Sequence, residues 1–395
     1  MNYPTIGEYN QVIKVHGGRA FRELNGIDIL PSRTLPIKVF LFGSGAFAAV
    51  FKGVHQGRTY AIRCFLSAEQ ETIIRTRAIC EYLKGVNASW LIDVEFLENE
   101  ISVNRNFFPV VKMGWVDGML INEFVSTYLD NNNVLSELQK RLVAVSESLE
   151  SYGIGHGDIQ CGNIIITGNA QDFTVKLIDY DGMFVPNLAG KRSLEKGRSE
   201  FQLPSRSLND YNPEMDRFSF WVIITAIEAI KNDKTLWRQV MQGGYNTLDN
   251  FLFTSKDFQS PNQSALLNRL RGYRNTALNH YVETLRWLCN NPEEKVPKPK
   301  LFEPSASSST VRSQGEEAPT VLTTHSVSRN FTRFTILTPG AIANVLTSTF
   351  QKIGTTPLEL DRSIYMGKTI VVSNGIDTKL IKLGANEGVI EVFFN

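Results

Sequence analysis

Two kinds of sequence pattern follow one another along this chain of 395 residues and hardly mix. Runs of β-branched and aromatic residues between glycine turns occupy residues 37–111, which is typical of an antiparallel meander. The segment Ala68–Lys84 interrupts them with helical spacing. From about Tyr128 to about Asn290 the apolar residues recur at helical steps, as in Val134–Tyr152. A β-rich part followed by a helical part predicts a segregated α+β fold rather than an alternating one.

Shifts in composition divide the chain further. Residues 292–330 contain 5 Pro, 7 Ser and 4 Thr and show no sustained apolar period, which is typical of a flexible linker. After them, strand-like runs and a helix beginning at Thr338 and Pro339 predict a small α+β domain of unknown role. The predicted domains are an N-terminal extension (1–36), a β-rich lobe (37–117), a helical lobe (118–291), the linker (292–330) and the small domain (331–395).

Charge and composition argue against several classes of function. With 41 Lys and Arg against 40 Asp and Glu, the formal net charge is +1, so no global positive field attracts DNA or an anionic membrane. The most apolar stretch, Phe218–Ile230, is shorter than the ~20 residues of a membrane span and contains Glu228, which predicts a buried helix. The four cysteines share no C-x-x-C spacing and are expected to be reduced thiols. We therefore expect a cytoplasmic protein with no nucleic-acid and no membrane partner.

A glycine-containing turn joins two predicted strands in the β-rich lobe, with the sequence Gly43-Ser44-Gly45-Ala46-Phe47-Ala48-Ala49-Val50. Because glycine has no Cβ, such a backbone can approach a phosphate closely and offer it N–H donors. The next strand carries a cation, Arg63, that could reach the same phosphates. An ordinary hairpin turn and a surface arginine explain the same residues, so neither feature alone decides the function.

Side chains with oxygen donors cluster in the helical lobe. Asp158 and Asn163 stand five residues apart in His156-Gly-Asp-Ile-Gln-Cys-Gly-Asn, just before the apolar run Ile164–Ile166. Asp179 closes the next hydrophobic strand, in Asp179-Tyr180-Asp181-Gly182. A hairpin would bring the three side chains together, and Mg²⁺ prefers such oxygen ligands and usually shares its shell with substrate phosphates. A helix cap and a turn explain each motif singly, but the order of the motifs favours a metal and phosphate site.

Taken in this order, the motifs resemble those of the protein-kinase fold over about residues 37–290. The glycine turn, Arg63, the 156–163 loop and Asp179-Tyr180-Asp181-Gly182 match the glycine loop, strand lysine, catalytic loop and Asp-Phe-Gly motif. The segment that begins at Asp216 is similar to the kinase helix whose Asp holds the catalytic loop by hydrogen bonds. With His-Gly-Asp in place of His-Arg-Asp, the chain looks closest to bacterial serine/threonine kinase-like proteins, relatives of the aminoglycoside-phosphotransferase-like kinases.

The resemblance implies a two-lobed fold that binds ATP and Mg²⁺, or Mn²⁺, between its lobes. Asp158 would accept or orient the proton of the attacking hydroxyl, and Asn163 and Asp179 would bind the metal. Arg63 would form an ion pair with Glu81, or else with Glu71 on the same helix face. The residues implied in nucleotide binding are Gly43, Ser44, Gly45, Ala46, Phe47, Val50, Arg63, Glu81, Met113 and Trp115.

Four positions depart from the kinase pattern. Arg63 replaces a lysine, and its planar guanidinium is not equivalent to a compact ammonium. Gln160 replaces a lysine beside the transferred phosphoryl and supplies no charge. Gly157 replaces the arginine that clamps a phosphate on the activation loop, so we expect no switch of that kind. Ala48 replaces the third glycine, which is a modest change.

We interpret the chain as an ATP-dependent phosphotransferase, and specifically as a serine/threonine protein kinase. Retention of Asp158, Asn163 and Asp179 argues for activity, because a chain without metal-dependent chemistry has no physical reason to keep all three oxygen donors. Three alternatives stay open: a nucleotide-binding pseudokinase that acts as a signalling scaffold through residues 331–395, a small-molecule kinase, and another chemistry on the same fold such as nucleotidyl transfer.

The expected substrate is a protein. Residues 182–214, here called the docking segment, resemble the peptide-docking segment of protein kinases and contain five cations and four serines. His-Gly-Asp is shared with small-molecule kinases and favours a metabolite instead. The chain's own linker, at Ser305–Thr310 or Thr320–Thr324, is a further expected target, and residues 331–395 are a possible surface for a partner protein.

Overall fold

The computed structural model describes residues 3–31, 40–44, 47–242 and 250–303, together with seven short segments between residues 333 and 391. The chain divides into two compact units. The larger unit is Met1–Ser264 with Glu283–Leu301, and the smaller one is Ala265–Val282 with Phe302–Asn395. An antiparallel sheet precedes a mainly helical region in the larger unit, so the predicted α+β class is confirmed.

A six-stranded antiparallel sheet forms the first part of the larger unit. Its strands are β1 (Asp28–Ile29), β2 (Leu41–Ser44), β3 (Ala48–His55), β4 (Arg58–Phe65), β5 (Val94–Val103) and β6 (Asn106–Gly114). They lie in the order β1-β3-β4-β6-β5, and β2 also pairs with β3. Gly43 faces Val50, and Val50 in turn faces Arg63, so these three residues form one row across the sheet.

Helix α1 (Ile6–His16) covers one face of this sheet. Thr5 and Glu8 form a capping box at its start, which satisfies backbone N–H groups that the first turn leaves unpaired. Tyr9 is completely buried in a core cluster with residues of β3 and β4, and its hydroxyl donates to the carbonyl of Phe65 at 2.8 Å. Helix α1 is therefore part of the core of this sheet, whereas the sequence pattern predicted a separate extension over residues 1–36.

Helix α2 (Gln70–Leu83) confirms the helix predicted over Ala68–Lys84 and packs against the opposite face of the sheet. Phe65, Cys80 and Val111 form a separate buried cluster there. The buried residues of the helix are Arg75, Thr76, Ile79, Cys80 and Leu83.

Helices dominate the remainder of the larger unit. They are α3 (Ile121–Thr127), α4 (Asn132–Ser151), α5 (Arg217–Asn232), α6 (Lys234–Gln242) and α7 (Ser255–Gln259). Every residue of α5 from Arg217 to Ile230 is buried, as the apolar run predicted. Within the described part of the chain, the helices are too short or too polar to cross a membrane.

A small antiparallel sheet carries the polar motifs of the helical region. Its strands are β7 (Met119–Leu120), β8 (Ile164–Gly168) and β9 (Phe173–Leu177). Ile164 faces Leu177, so the residue before β8 and the residues after β9 meet at the same end of the hairpin. The hairpin predicted to join Asn163 to Asp179 is therefore confirmed.

The start of the predicted linker packs against the helical region. Arg217 binds both carboxylate oxygens of Glu150, at 2.7 and 2.9 Å, and also donates to the carbonyl of Val296 at 2.8 Å. The indole N–H of Trp221 donates to the carbonyl of Pro297 at 3.0 Å. Because Val296 and Pro297 belong to the folded unit, flexible chain does not begin at residue 292 as predicted. Residues 304–330 lie outside the described residues.

The smaller unit contains α8 (Ala265–Arg271), the first half of α9 (Thr276–Asn290) and seven described strands. It therefore includes residues 265–282, which the sequence pattern placed in the helical lobe. The helix predicted at Thr338 and Pro339 lies outside the described residues. The strands are β10 (Arg333–Leu337), β11 (Asn344–Thr347), β12 (Lys352–Thr355), β13 (Leu358–Asp361), β14 (Thr369–Ser373), β15 (Thr378–Lys382) and β16 (Val389–Glu391). They form two sheets, with the orders β13-β10-β16 and β12-β11-β14-β15.

Candidate active site

Asp216 stands just before α5 and anchors the 156–163 loop. Its carboxylate accepts hydrogen bonds from the backbone N–H groups of His156 and Gly157, the latter at 2.8 Å. Burial raises the pKa of Asp216, whereas His156, Arg206 and the two N–H donors act in the opposite direction. Since a buried carboxylate needs these donors, Asp216 fixes the start of the loop. The hydrogen bonds that the resemblance implied between Asp216 and this loop are therefore present.

Asp158 and Asn163 contact each other within the loop. The amide nitrogen Nδ2 of Asn163 donates to Oδ2 of Asp158 at 2.9 Å and to its backbone carbonyl at 2.8 Å. The other carboxylate oxygen, Oδ1, accepts the backbone N–H of Arg198 at 3.0 Å. The amide of Gln160 lies beside them, with Nε2 at 3.5 Å from Oδ2 of Asp158 and Oε1 accepting the N–H of Gly162 at 2.8 Å. The loop therefore presents a half-buried Asp158 held in one orientation.

Asp179 lies directly beyond β9, next to the same loop. The N–H of Ile178 donates to the carbonyl of Asn163 at 3.0 Å, which places Asp179 one residue from that contact. Tyr180 locks the turn, because its buried hydroxyl donates to the carbonyl of Leu177 at 2.9 Å and accepts the N–H of Ile92 at 3.0 Å. Asp179 itself has φ +64°, a left-handed conformation that aspartate tolerates better than most residues. Asp179 is exposed, and its backbone lies one residue from the contact with Asn163.

Arg63 reaches from β4 to the turn after β9. Its guanidinium binds both carboxylate oxygens of Asp181, with Nη1 to Oδ1 at 2.6 Å and Nη2 to Oδ2. Burial raises the pKa of Asp181, and the charge of Arg63 opposes this shift. The two-point geometry is one that arginine, unlike lysine, can form. This pair joins the sheet to the helical region at the candidate site.

The predicted pair between Arg63 and Glu81 is not formed. Glu81 is exposed and pairs with Lys84 at 2.8 Å, while Glu71 pairs with Arg75 at 2.7 Å. Glu81 is two residues from both Ile79 and Leu83, which are buried, so the 100° turn per helical residue directs it away from the packed face.

Sequence reasoning assigned no role to Asp181, the partner that Arg63 does have. The signal that could have identified it is the second carboxylate of Asp179-Tyr180-Asp181-Gly182, two residues after the predicted metal ligand.

The glycine turn lies at the end of the β2–β3 pair. Gly43 and Ser44 belong to β2 and Val50 to β3, and Gly45 and Ala46 lie outside the described residues. The ring of Phe47 is 61% exposed, whereas its carbonyl accepts the N–H of Leu66 at 2.8 Å. Since Gly43, Val50 and Arg63 share a row, Gly43 and Arg63 lie two strands apart at the same level of the sheet. A role of these residues in phosphate binding stays a prediction.

Met113 and Trp115 lie at the end of β6, where the chain leaves the sheet. The N–H of Trp115 donates to the carbonyl of Thr59 at 3.0 Å, so this backbone donor is already used. The indole ring packs edge-on against Phe42, with 5.6 Å between ring centroids, and lies 4.1 Å from the ammonium of Lys52. The adenine-binding role predicted for Met113 and Trp115 stays a prediction.

The oxygen atoms that a divalent cation needs are present beside the loop. Because Nδ2 of Asn163 donates to Asp158, the amide oxygen Oδ1 of Asn163 is the atom left to bind a cation. Asp179 supplies an exposed carboxylate. Among the described residues, no group of three or more His, Cys, Asp or Glu side chains is arranged to hold a metal ion by itself. The donors therefore fit a Mg²⁺ ion that completes its coordination with phosphate oxygens and water.

Negative charge is concentrated around these donors. Burial, followed by the carboxylates of Asp158, Asp179 and Asp181, raises the pKa of Glu195 to about 7, against the charge of Arg63. Three carboxylates, those of Asp158, Asp179 and Asp181, thus act on Glu195 in addition to its burial. A divalent cation bound among them would offset part of their negative charge.

Comparison with known proteins points in the same direction. No family model matches the chain. A probable LIM domain-containing serine/threonine-protein kinase of Dictyostelium discoideum is 27% identical over 202 residues, which are 48% of this chain and 29% of that protein. Calcium-dependent protein kinase 26 of Arabidopsis thaliana is 26% identical over 267 residues, 63% of this chain and 53% of that kinase.

The chain is similar in sequence to serine/threonine-protein kinases. Calcium-dependent protein kinase 5 of Arabidopsis thaliana adds a third match, 27% identical over 163 residues, 40% of this chain and 29% of that kinase. The resemblance to the protein-kinase-like superfamily is confirmed by these relatives, although the chain spans only about a third to a half of their lengths. The finer resemblance to bacterial and aminoglycoside-phosphotransferase-like kinases stays a prediction.

Proposed function

We propose that this chain is an ATP- and Mg²⁺-dependent phosphotransferase that phosphorylates serine or threonine hydroxyls of proteins. The observation that carries the proposal is the joining of Asp158, Asn163 and Asp179 at one end of the β8–β9 hairpin, with Arg63 of the sheet tied to the adjoining turn. Three segments, namely the 156–163 loop, the turn after β9 and strand β4, thus supply one set of oxygen donors and one cation. The similarity to serine/threonine-protein kinases supports the same reaction class.

Asp158 is proposed to orient the attacking hydroxyl and to accept its proton. Its carboxylate is held by Asn163 and by the N–H of Arg198, so a hydroxyl would meet it in a defined direction. Asn163 and Asp179 would hold Mg²⁺, which neutralises charge on the β- and γ-phosphate oxygens when bound. The backbone at Gly43 and Ser44 would lie over the phosphates.

A nucleotide-binding pseudokinase is the second candidate, and one contact favours it. Arg63 stands where kinases place a phosphate-binding lysine, yet its guanidinium is engaged by Asp181. A two-point pair with a carboxylate uses two of the five N–H donors of arginine. In an active kinase, the other donors of Arg63 would contact phosphate. The two candidates differ in whether phosphoryl transfer occurs.

Transfer of labelled γ-phosphoryl from ATP to protein is the decisive experiment. The full chain is incubated with Mg²⁺, with Mn²⁺ or with a chelator, either alone, with a general protein substrate or with a panel of metabolites, and ATP binding is measured in parallel. A peptide covering residues 303–326 is added to test the predicted linker sites at Ser305–Thr310 and Thr320–Thr324. We expect metal-dependent label in serine or threonine residues of the chain itself, of the protein substrate or of the peptide. Nucleotide binding with no label in any acceptor would instead establish the pseudokinase, and label in metabolites alone would establish a small-molecule kinase.

A further inference from the structure

Gly157 has no room for the side chain that kinases place before the catalytic aspartate. Its φ is +86°, a left-handed conformation that residues with a Cβ rarely adopt. A Cβ built there would lie 2.5 Å from the carbonyl oxygen of Gly182 and 3.1 Å from Cε of Met215. An arginine at this position is therefore excluded by backbone contact, and any cation beside the loop has to come from another segment.

Arg206 of the docking segment supplies a cation directly behind Gly157. Its Nη1 group donates to the carbonyl oxygen of Gly157 at 3.1 Å and also to Oε1 of Gln202. The side chain is only 6% exposed, so the charge is held inside the protein. Because that carbonyl belongs to the peptide bond joining Gly157 to Asp158, the hydrogen bond sets the plane from which the Asp158 side chain projects.

The peptide groups around Gly157 are thus held from two sides. Asp216 accepts the N–H of Gly157, and Arg206 donates to its carbonyl. Burial lowers the pKa of Arg206, and the negative charges around it, Asp216 first and then Asp158, oppose that shift. The charges of Asp216 and Asp158 thus favour the charged form of the buried Arg206.

The docking segment also touches the catalytic carboxylate at a position where only glycine fits. A Cβ on Gly197 would lie 2.8 Å from both Oδ1 of Asp158 and the carbonyl of Gly157, and φ there is +74°. The next residue, Arg198, donates its N–H to the same Oδ1 atom at 3.0 Å. The segment is therefore seated on the 156–163 loop through backbone contacts and through Arg206, and each of these contacts forms without a phosphate group.

We propose that Arg206 is the positioning residue for Asp158, and that it seats the docking segment on the 156–163 loop in place of a phosphorylated side chain. In the kinase pattern, the catalytic loop carries the arginine and the activation loop carries the phosphate that it binds. Here the docking segment carries the arginine, and the 156–163 loop carries the carbonyl that it binds. The proposal rests on the proposed function for its catalytic consequence. Its structural part, the seating of the segment by Arg206, is independent of activity.

The test compares Arg206→Met and Arg206→Lys with the wild-type full chain, and Arg77→Met is the matched control because Arg77 is a half-exposed surface arginine. We expect Arg206→Met to lower kcat for phosphoryl transfer about 100-fold, as misplacement of a catalytic group by an ångström does. ATP affinity should stay within twofold, and Arg206→Lys should recover part of the rate. Treating the wild type with a phosphatase should leave its initial rate unchanged.

Hydrogen exchange of the amides in residues 193–202 provides a readout that needs no activity. We expect faster exchange in Arg206→Met than in the wild type, with Arg206→Lys intermediate and Arg77→Met unchanged. If Arg206→Met does not fold, the lysine variant carries the comparison, since it keeps the charge and loses the planar fork. Unchanged exchange and rate in the variants, or loss of rate after phosphatase treatment, would overturn the proposal. Wild type that transfers no phosphoryl but shows the expected exchange pattern would overturn the proposed function and leave Arg206 a purely structural residue.

Discussion

Replacing Asp158 with asparagine should lower the rate of phosphoryl transfer by about 10²–10⁴-fold, the usual contribution of a general base. Asparagine has nearly the same shape and keeps an oxygen for the N–H of Arg198 or the amide of Asn163, so the loop should retain its fold. It cannot accept the proton of a hydroxyl. The loss should therefore fall on kcat, while ATP affinity stays within about twofold of the wild type.

Labelled-ATP transfer and a nucleotide-binding titration measure the two effects of Asp158→Asn separately. Asp172→Asn is the matched control, since the Asp172 side chain is 92% exposed and far from the candidate ligands in the hairpin turn. The control should be indistinguishable from the wild type. An Asp158→Asn protein that keeps more than a third of the wild-type rate would remove this carboxylate from the chemistry.

Replacing Asp216 with alanine should have the largest effect on stability. The change leaves the backbone N–H groups of His156 and Gly157 buried without an acceptor and removes a negative charge beside buried Arg206. Each unpaired buried donor costs about 1–3 kcal/mol, so the loss of an acceptor for two donors should lower the free energy of unfolding by about 2–6 kcal/mol.

Urea unfolding of Asp216→Ala and of Asp130→Asn provides the comparison. Asp130 pairs with Lys234 at 3.3 Å but is 76% exposed, so its replacement should change stability by less than about 1 kcal/mol. Phosphoryl transfer by Asp216→Ala should be lost with the order of the 156–163 loop, even at temperatures where the protein is folded. Equal stability of the two variants would mean that Asp216 does not anchor the loop.

Local pattern was sufficient to predict the hairpin that carries the site. The apolar run after Asn163 and the hydrophobic strand before Asp179 specify two short strands, and their pairing brings the polar ends together. The burial of α5 followed in the same way from an apolar run too short for a membrane span. These features depend on neighbours in the sequence, which is why pattern predicts them well.

Long-range pairing was not accessible from pattern. Arg63 and Asp181 are 118 residues apart, and their contact depends on how the sheet packs against the helical region. Helical spacing showed that Glu81 lies on one side of α2, but the spacing does not say which side packs against the sheet. The role of Arg206 could not be predicted because it depends on the burial of the side chain, which appears only in the folded protein. In the sequence, Arg206 is one of five cations in a polar segment.

Binding of Mg²⁺ and ATP together at Asn163 and Asp179 is the central claim, and thermal unfolding of the full chain tests it most directly. We predict that Mg²⁺ with ATP at 100 times its Kd stabilises the wild type by about 2.7 kcal/mol, and that a chelator removes most of this gain. Asp179→Asn should lose the part that depends on Mg²⁺, whereas Asp172→Asn should keep it. A wild type that Mg²⁺ and ATP do not stabilise, or an Asp179→Asn protein that responds as the wild type does, would contradict the claim.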